Sequence, residues 1–328
     1  MTSVKKYTIL FIISIFIICL FPQKGLAAEK VNLHKPATVT ISYWENDEAL
    51  VGAAFDLYHI ADMDENGRLI IRTPYVDYPV NLNSETATER RGTATALQGY
   101  ILRDGLMQDS HKQTDQDGRC TFDSLTCGAY LIIGYRHIQG ELVYQCEPIL
   151  MTVPAYDSSS KAYQYELVVK PKKEVEMLPE NPNPIYESYK VLKIWKDGEG
   201  ENRPREIKVD LLKDGKVYDT VKLNEDDQWK HIWEKLPTNH SWNVVEREVS
   251  SYTATVTKEG HTFIITNTKK GSISEEEGPT TPSTPGEEPD DYLPLTGQLW
   301  PVALIMFAIG LAFVVVGLLV KRRADYEG

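Results

Sequence analysis

The chain has 328 residues, 25% of them charged and 42% hydrophobic, and its formal net charge is −12. An acidic balance of this size argues against nucleic acid or anionic lipid as the partner and favours a soluble, self-repelling surface. No Ser/His/Asp, phosphate-loop or paired-carboxylate arrangement stands out. The sequence therefore predicts a protein that is not an enzyme and needs no cofactor.

Residues 1–28 have the composition of a secretory signal peptide. Lys5 and Lys6 precede an apolar stretch from Tyr7 to Phe21, and small residues follow up to Ala28. Cleavage is expected after Ala27 or Ala28, so the chain is predicted to be exported. The signal peptide carries three lysines and no acidic residue, so its removal makes the mature chain more acidic still.

Residues 29–175 are predicted to form a first β-sandwich. Short runs of Val, Ile, Tyr and Leu are separated by turn sequences at Asn66-Gly67, Asp117-Gly118 and Gln139-Gly140. The stretch from 85 to 107 is the exception, because 94–106 fits either one helix or a long loop.

Three cysteines remain after signal cleavage, namely Cys120, Cys127 and Cys146. An odd number permits at most one intrachain disulfide and leaves one thiol over. If one bridge forms, we expect it between Cys127 and Cys146, on or beside the hairpin at Gln139-Gly140; free buried thiols are the alternative. The spacing matches no zinc ligand set, so no metal site is predicted.

A second β-rich segment spans residues 187–269, after a stiff proline-rich linker at 176–186. Asp214-Gly215 joins two of its predicted strands as a hairpin. Residues 270–292 are acidic and rich in Pro, Thr and Gly, without large apolar side chains. They cannot bury a core and are predicted to form an extended stalk.

The C-terminal segment, 293–328, combines three features in a fixed order. Leu293-Pro294-Leu295-Thr296-Gly297 is followed by an uncharged apolar run from Leu299 to Val320 and then by Lys321-Arg322-Arg323. The run is long enough to span a bilayer as a helix, and the basic triplet would stay on the cytoplasmic side. These features predict an ectodomain held at the membrane by its tail.

The pentapeptide 293–297 resembles in full the LPxTG sorting signal of Gram-positive surface proteins. The resemblance implies that a sortase cysteine attacks the Thr296 carbonyl and releases the segment from Gly297 onward. The acyl-enzyme is then passed to an amine on peptidoglycan precursor or on a pilin lysine. It also implies a location in the cell wall, with a membrane-spanning stage before cleavage.

The second segment resembles a collagen-adhesin (Cna) B-type domain, in Val191–Asp197, Trp242–Glu246, Ile264–Thr268, Arg203-Pro204 and Trp229. Such domains commonly form an intramolecular isopeptide bond, and the resemblance implies Lys193 as the amine, Asn267 as the carboxamide and Glu246 as the catalytic acid. Independently, alternation in Tyr189–Trp195 places Lys193 on an apolar face, where burial favours the neutral amine. A buried Lys–Glu pair without a cross-link is the alternative reading of the same residues.

The first segment resembles Gram-positive pilin subunits around 114–131, 147–154 and 165–172. The resemblance implies Lys172 as the lysine that sortase uses for polymerisation. Lys170 and Lys173 depart from the pilin motif, where tyrosine and asparagine are usual. No internal cross-link is expected here, because the strand at 38–43 has no lysine and the strand at 130–135 has no carboxylate.

Together these features predict an all-β protein with two immunoglobulin-like, B-type sandwiches in tandem, flanked by a signal peptide and a C-terminal transmembrane sorting helix. The expected function is a wall-anchored structural protein, a minor pilus-like subunit whose partners are sortase, peptidoglycan precursor and other pilin subunits. The alternative is a free-standing monomeric adhesin that binds a host or matrix ligand through its first sandwich.

Overall fold

The computed structural model describes residues 30–84, 86–178, 185–198, 203–247 and 249–270. The predicted signal peptide, the residues of the sorting motif and the apolar run at 299–320 all lie outside these ranges. Among the described residues, no helix is both long and apolar enough to cross a membrane.

The described part of the chain is mostly β-structure and belongs to one compact unit. We call residues 30–178 the first region and residues 185–270 the second region. The strands of the first region are β1 Ala37–Ser42, β2 Trp44–Glu45, β3 Glu48–Ala49, β4 Ala54–Met63, β5 Leu69–Ile71, β6 Ser110–Gln113, β7 Arg119–Leu125, β8 Gly128–Gly134, β9 His137–Gln139, β10 Leu142–Cys146, β11 Ile149–Val153, β12 Ala155–Asp157, β13 Ala162–Gln164, β14 Glu166–Val169 and β15 Lys173–Met177.

Three sheets make up most of the first region. Their strand orders are β14-β1-β7, β15-β10-β9 and β11-β8-β4-β5, with β6 also paired to β4. In β1, Ala37, Val39 and Ile41 are buried while their neighbours are partly exposed, as alternation in a strand with one covered face requires. Strand β8 is buried along its whole length because both of its faces are covered.

The second region is a two-sheet sandwich of seven strands, which are β16 Tyr186–Lys196, β17 Glu206–Lys213, β18 Lys216–Asn224, β19 Lys230–Pro237, β20 Trp242–Glu246, β21 Tyr252–Glu259 and β22 Thr262–Lys269. One sheet has the order β19-β16-β22-β21 and the other β18-β17-β20. The first and last strands, β16 and β22, are parallel neighbours in the centre of the larger sheet.

The stretch that the sequence left open between helix and loop forms a helix, α1, over Ala87–Asp104. Thr86 caps it, because its hydroxyl accepts a hydrogen bond from the Glu89 amide while the Glu89 carboxylate accepts one from the Thr86 amide. Gly105, at φ 62°, ends the helix in the left-handed conformation that glycine adopts without strain. The helix is longer than the predicted stretch and starts before Ala94.

Helix α1 joins the two regions through a shared hydrophobic core. Its buried residues Leu97 and Tyr100 belong to the same cluster as Leu131 of the first region and as Trp242 and Val245 of the second. A separate cluster lies wholly within the first region. The two regions, which the sequence predicts as sandwiches in tandem, therefore share part of their hydrophobic core.

The expected disulfide between Cys127 and Cys146 is absent, and all three described cysteines are free and buried. Cys127 directly precedes β8, whereas Cys146 packs against Gly134 at its other end. Seven residues of strand separate these ends by roughly 20 Å, which far exceeds the span of a disulfide. Burial raises the pKa of the Cys146 thiol to about 12, so it stays protonated.

Candidate functional site

Three polar side chains meet in the core of the second region. Lys193 lies on β16 and Asn267 on β22, whereas Glu246 reaches in from β20 on the opposite sheet. In the parallel β16–β22 ladder, Asn267 lies opposite Trp195. Lys193 is two residues before Trp195 and shares its face, which brings its long side chain within reach of Asn267.

All three side chains are shielded from solvent. Lys193 is the only lysine among the described residues that is buried, and its side chain is 0% exposed. Its Nζ lies 3.2 Å from Oε1 and 3.3 Å from Oε2 of Glu246. The buried Asn267 carboxamide lies beside the Glu246 carboxyl, but neither of its polar atoms has the geometry of a hydrogen bond to another described residue. An unsatisfied buried amide is costly, so this arrangement calls for an explanation.

Burial shifts the two charged groups in opposite directions. It lowers the pKa of Lys193 to about 8, against the opposing effects of Glu246 and Asp197. It raises the pKa of Glu246, although Lys193 and the nearby Asn267 carboxamide act to lower it. Desolvation thus favours a neutral amine beside a protonated carboxyl. A neutral amine is a nucleophile, and a carboxylic acid can polarise an amide carbonyl.

Aromatic rings close the end of the core around Lys193. Lys193 Nζ lies 4.6 Å from the centroid of the Trp195 ring. Trp195 makes edge contacts with Trp229 and with Tyr252, at centroid distances of 5.2 Å and 5.1 Å. These rings exclude water from the amine, which strengthens the effect of desolvation on its pKa.

The buried carboxylate of Asp197 holds this aromatic end of the core in place. The sequence alone assigns no role to this residue. The Asp197 side chain is 1% exposed and accepts two hydrogen bonds from Arg203 and one from the Tyr252 hydroxyl, at 2.9 Å. The bonds join the segment after β16 to the start of β21. No local sequence pattern at Asp197 or Arg203 predicts this contact. Both residues lie in segments that resemble the B-type domain, and the sequence gives no other signal for them.

A second ion pair secures the end of β20 next to Glu246. The Arg247 guanidinium donates to both carboxylate oxygens of the buried Asp210 on β17. The Thr220 hydroxyl also donates to Asp210, at 2.6 Å. Strand β20, which carries Glu246, is therefore held by this ion pair as well as by its packing in the core.

The other predicted site residues lie apart from this cluster. The side chain of Lys172 is exposed just before β15, where its carbonyl accepts a hydrogen bond from the Glu147 amide. Its neighbour Lys173 is instead engaged with Glu45 and with the Trp44 carbonyl. Leu293, Pro294, Leu295, Thr296 and Gly297 lie outside the described residues.

Comparison with known proteins matches the second region to a described family. The model of the Cna protein B-type domain matches residues 189–268. A collagen adhesin of Staphylococcus aureus is 33% identical over 113 residues, which are 32% of this chain but only 9% of the adhesin. The matched segment therefore spans a small part of that much longer protein.

Two solved structures are also similar, at low identity. A single B repeat unit of the collagen-binding surface protein of S. aureus is 16% identical, with a TM-score of 0.25, and the match covers 72% of this chain and 98% of that one. The major pilin SpaD of Corynebacterium diphtheriae is 14% identical, with a TM-score of 0.30, 73% of this chain and 65% of that one being covered. The family match supports the same assignment for the second region: residues 189–268 of this chain are similar to the Cna protein B-type domain.

Proposed function

We propose that the chain is a structural protein of the Gram-positive cell surface whose second region is locked by an isopeptide bond between Lys193 and Asn267. The observation that supports this most directly is the burial of Lys193, Glu246 and the unbonded Asn267 carboxamide in one core. A merely structural Lys–Glu pair would not require an unsatisfied amide beside it.

In the proposed reaction, the neutral Lys193 amine attacks Cγ of Asn267. A C–N bond forms to the lysine nitrogen, the bond to the original amide nitrogen breaks, and one ammonia leaves. Glu246 donates a hydrogen bond to the amide oxygen and transfers a proton from the attacking to the leaving nitrogen. The fold holds the groups together, which supplies most of the rate. The reaction happens once on the protein itself, so the chain does not turn over a substrate.

Attachment to the wall is proposed through the sorting motif at 293–297. Sortase would cleave after Thr296 and pass the chain to peptidoglycan precursor. As a minor pilus-like subunit, the protein would also be joined to other pilin subunits. Lys172 is the candidate acceptor in the first region, and its exposed side chain is compatible with enzymatic access.

The test of the cross-link is the mass of the purified mature chain, residues 28–296. It should be lower than the sequence mass by one ammonia, and digestion should yield a branched peptide that joins Lys193 to Asn267. A full sequence mass, with the two residues in separate peptides, would reduce the cluster to a buried polar group.

The similarity to a collagen adhesin favours a second candidate, a free-standing adhesin whose first region binds a host or matrix ligand. Immunoblots of wall extracts separate the two. A ladder of high-mass species that survives boiling in detergent indicates covalent polymerisation into a pilus. A single band indicates a monomeric adhesin.

A further inference from the structure

The first region touches the strand that carries Glu246. Helix α1 lies against β20, and at Gly99 the approach is so close that an added methyl group would lie 3.1 Å from the Val244 carbonyl oxygen. The same methyl would lie 3.2 Å from Cβ of Val245. Val244 and Val245 are the two residues immediately before Glu246. The absence of a side chain at Gly99 therefore determines how closely β20 can pack against the helix.

A second contact reaches the strand beside Asn267. Ala254 on β21 is directly opposite Asn267 in the β21–β22 ladder. Its amide donates a 2.6 Å hydrogen bond to the carbonyl of Pro79 in the first region. One residue further on, an added methyl at Gly92 would lie 2.9 Å from Cβ of Thr255, a distance that forces some displacement.

The two glycines are seven residues apart, or about two helical turns, and so lie on one face of α1. This face is set against β20 and β21 together. Glycine is unfavourable in a helix interior compared with alanine, because it loses more backbone entropy on folding. Two glycines on the contact face thus weaken the helix where they allow the closest approach to the second region.

We propose that the first region is a positioning element for the cross-linking reaction. Through Gly92, Gly99 and the Pro79 carbonyl, it holds β21 and β20 so that Asn267 and Glu246 keep their places around Lys193. Gly92 and Gly99 are positioning residues and touch none of the reacting atoms. This inference rests on the proposed isopeptide bond, and it adds that the second region reacts at full rate only while the first region is packed on it.

The test follows cross-linking over time in the mature chain, synthesised in a cell-free translation reaction and sampled for intact mass. The test variant is Gly92→Ala/Gly99→Ala. Arg91→Ala is the matched control, since Arg91 lies on the same helix next to Gly92 and is exposed to solvent, away from the face that carries the two glycines. Because small displacements of reacting groups cost large factors in rate, the glycine variant should lose ammonia at least about tenfold more slowly. The control should react at the wild-type rate.

Hydrogen exchange at the Ala254 amide gives a second readout. This amide should be protected in the wild type by Pro79 and should exchange faster in the glycine variant. If the double variant does not fold, the same two measurements are made on the Gly99→Ala single variant. Its added methyl group requires the neighbouring atoms to move by only a few tenths of an ångström.

The outcomes separate this inference from the function on which it rests. A wild-type chain that never loses ammonia overturns both. A wild-type chain that reacts, together with folded glycine variants that react equally fast, overturns the positioning role alone.

Discussion

Lys193 and Glu246 come from different sheets, yet the lysine Nζ lies within 3.3 Å of both carboxylate oxygens. Burial moves their pKa values towards each other, that of Lys193 down to about 8 and that of Glu246 up. The two groups therefore titrate as a coupled pair. With one proton between them, the pair can exist as a neutral amine beside a carboxylic acid, which is the arrangement that the proposed reaction needs.

The rate of cross-linking should consequently show a bell-shaped dependence on pH. Above about pH 8 the pair loses its last proton, and the Glu246 carboxylate can no longer polarise the amide. Below the raised pKa of Glu246, itself above the usual 4.5, both groups are protonated and the ammonium is not nucleophilic. Intact mass against time at a series of pH values measures the profile. A rate that keeps rising well above pH 8 would contradict the role of Glu246 as an acid.

Glu246→Gln should abolish the reaction while it preserves the shape of the core. The glutamine amide can donate a hydrogen bond but cannot transfer a proton in the way a carboxyl group does. The variant chain should have its full sequence mass, and its circular dichroism should match that of the wild type. Glu206→Gln is the control, because Glu206 is an exposed partner of Lys222 in the same region and its substitution should leave the ammonia loss unchanged.

Asn267→Ala should destabilise the second region strongly. The bond would close a loop of about 75 residues, and a cross-link of that span restricts the unfolded chain by roughly 4 kcal/mol in the chain-entropy model. Denaturant unfolding of wild type and variant, monitored by tryptophan fluorescence, should show this difference. Equal midpoints would mean that no covalent constraint is present in the wild type.

Asp197→Ala should cost about 1–3 kcal/mol, because it leaves the Arg203 guanidinium and the Tyr252 hydroxyl without their partner. The measurement is best made in the Asn267→Ala background, where no covalent bond limits unfolding. Glu206→Ala breaks an exposed ion pair in the same region and should cost less than about 1 kcal/mol. Similar losses for the two variants would show that Asp197 does not secure the aromatic end.

Thr296→Ala should move the protein from the wall fraction to the membrane and medium fractions, because the proposed sorting motif would lose the threonine side chain that marks it for sortase. Thr281→Ala, in the acidic stretch before the motif, should leave the distribution unchanged. Immunoblots of fractionated cells provide the measurement. Finding the unaltered protein only in membranes, with its tail attached, would refute wall attachment.

The strands of the second region follow from local patterns, with one exception. Alternation along β16 correctly predicts that Lys193 points inward, since Tyr189, Val191 and Lys193 are all buried. Strand β19 is the exception, because only Trp233 and Leu236 of its eight residues are buried. An edge strand with so few inward side chains lacks the period that identifies a strand.

The residue pattern of helix α1 does not distinguish a helix from a loop, because most of the helix is buried. It is buried from Gly92 to Ile101 except at Thr95, so no single apolar stripe distinguishes one face. The Thr86–Glu89 capping box and Gly105 are local signals that could have fixed its ends. The packing of α1 on the second region is not predictable from the sequence in this way, because it depends on contacts between residues more than 140 positions apart, such as Gln98 with Asn243.

The parallel pairing of β16 with β22 has a mechanical consequence. The chain enters the second region at the start of β16 and leaves it at the end of β22, and these points lie at opposite ends of the paired strands. Tension along the chain therefore shears the two strands, so that the ladder from Lys190 to Lys196 is loaded all at once rather than opened one bond at a time. The second region would resist extension through this pairing even before any covalent bond between Lys193 and Asn267 forms.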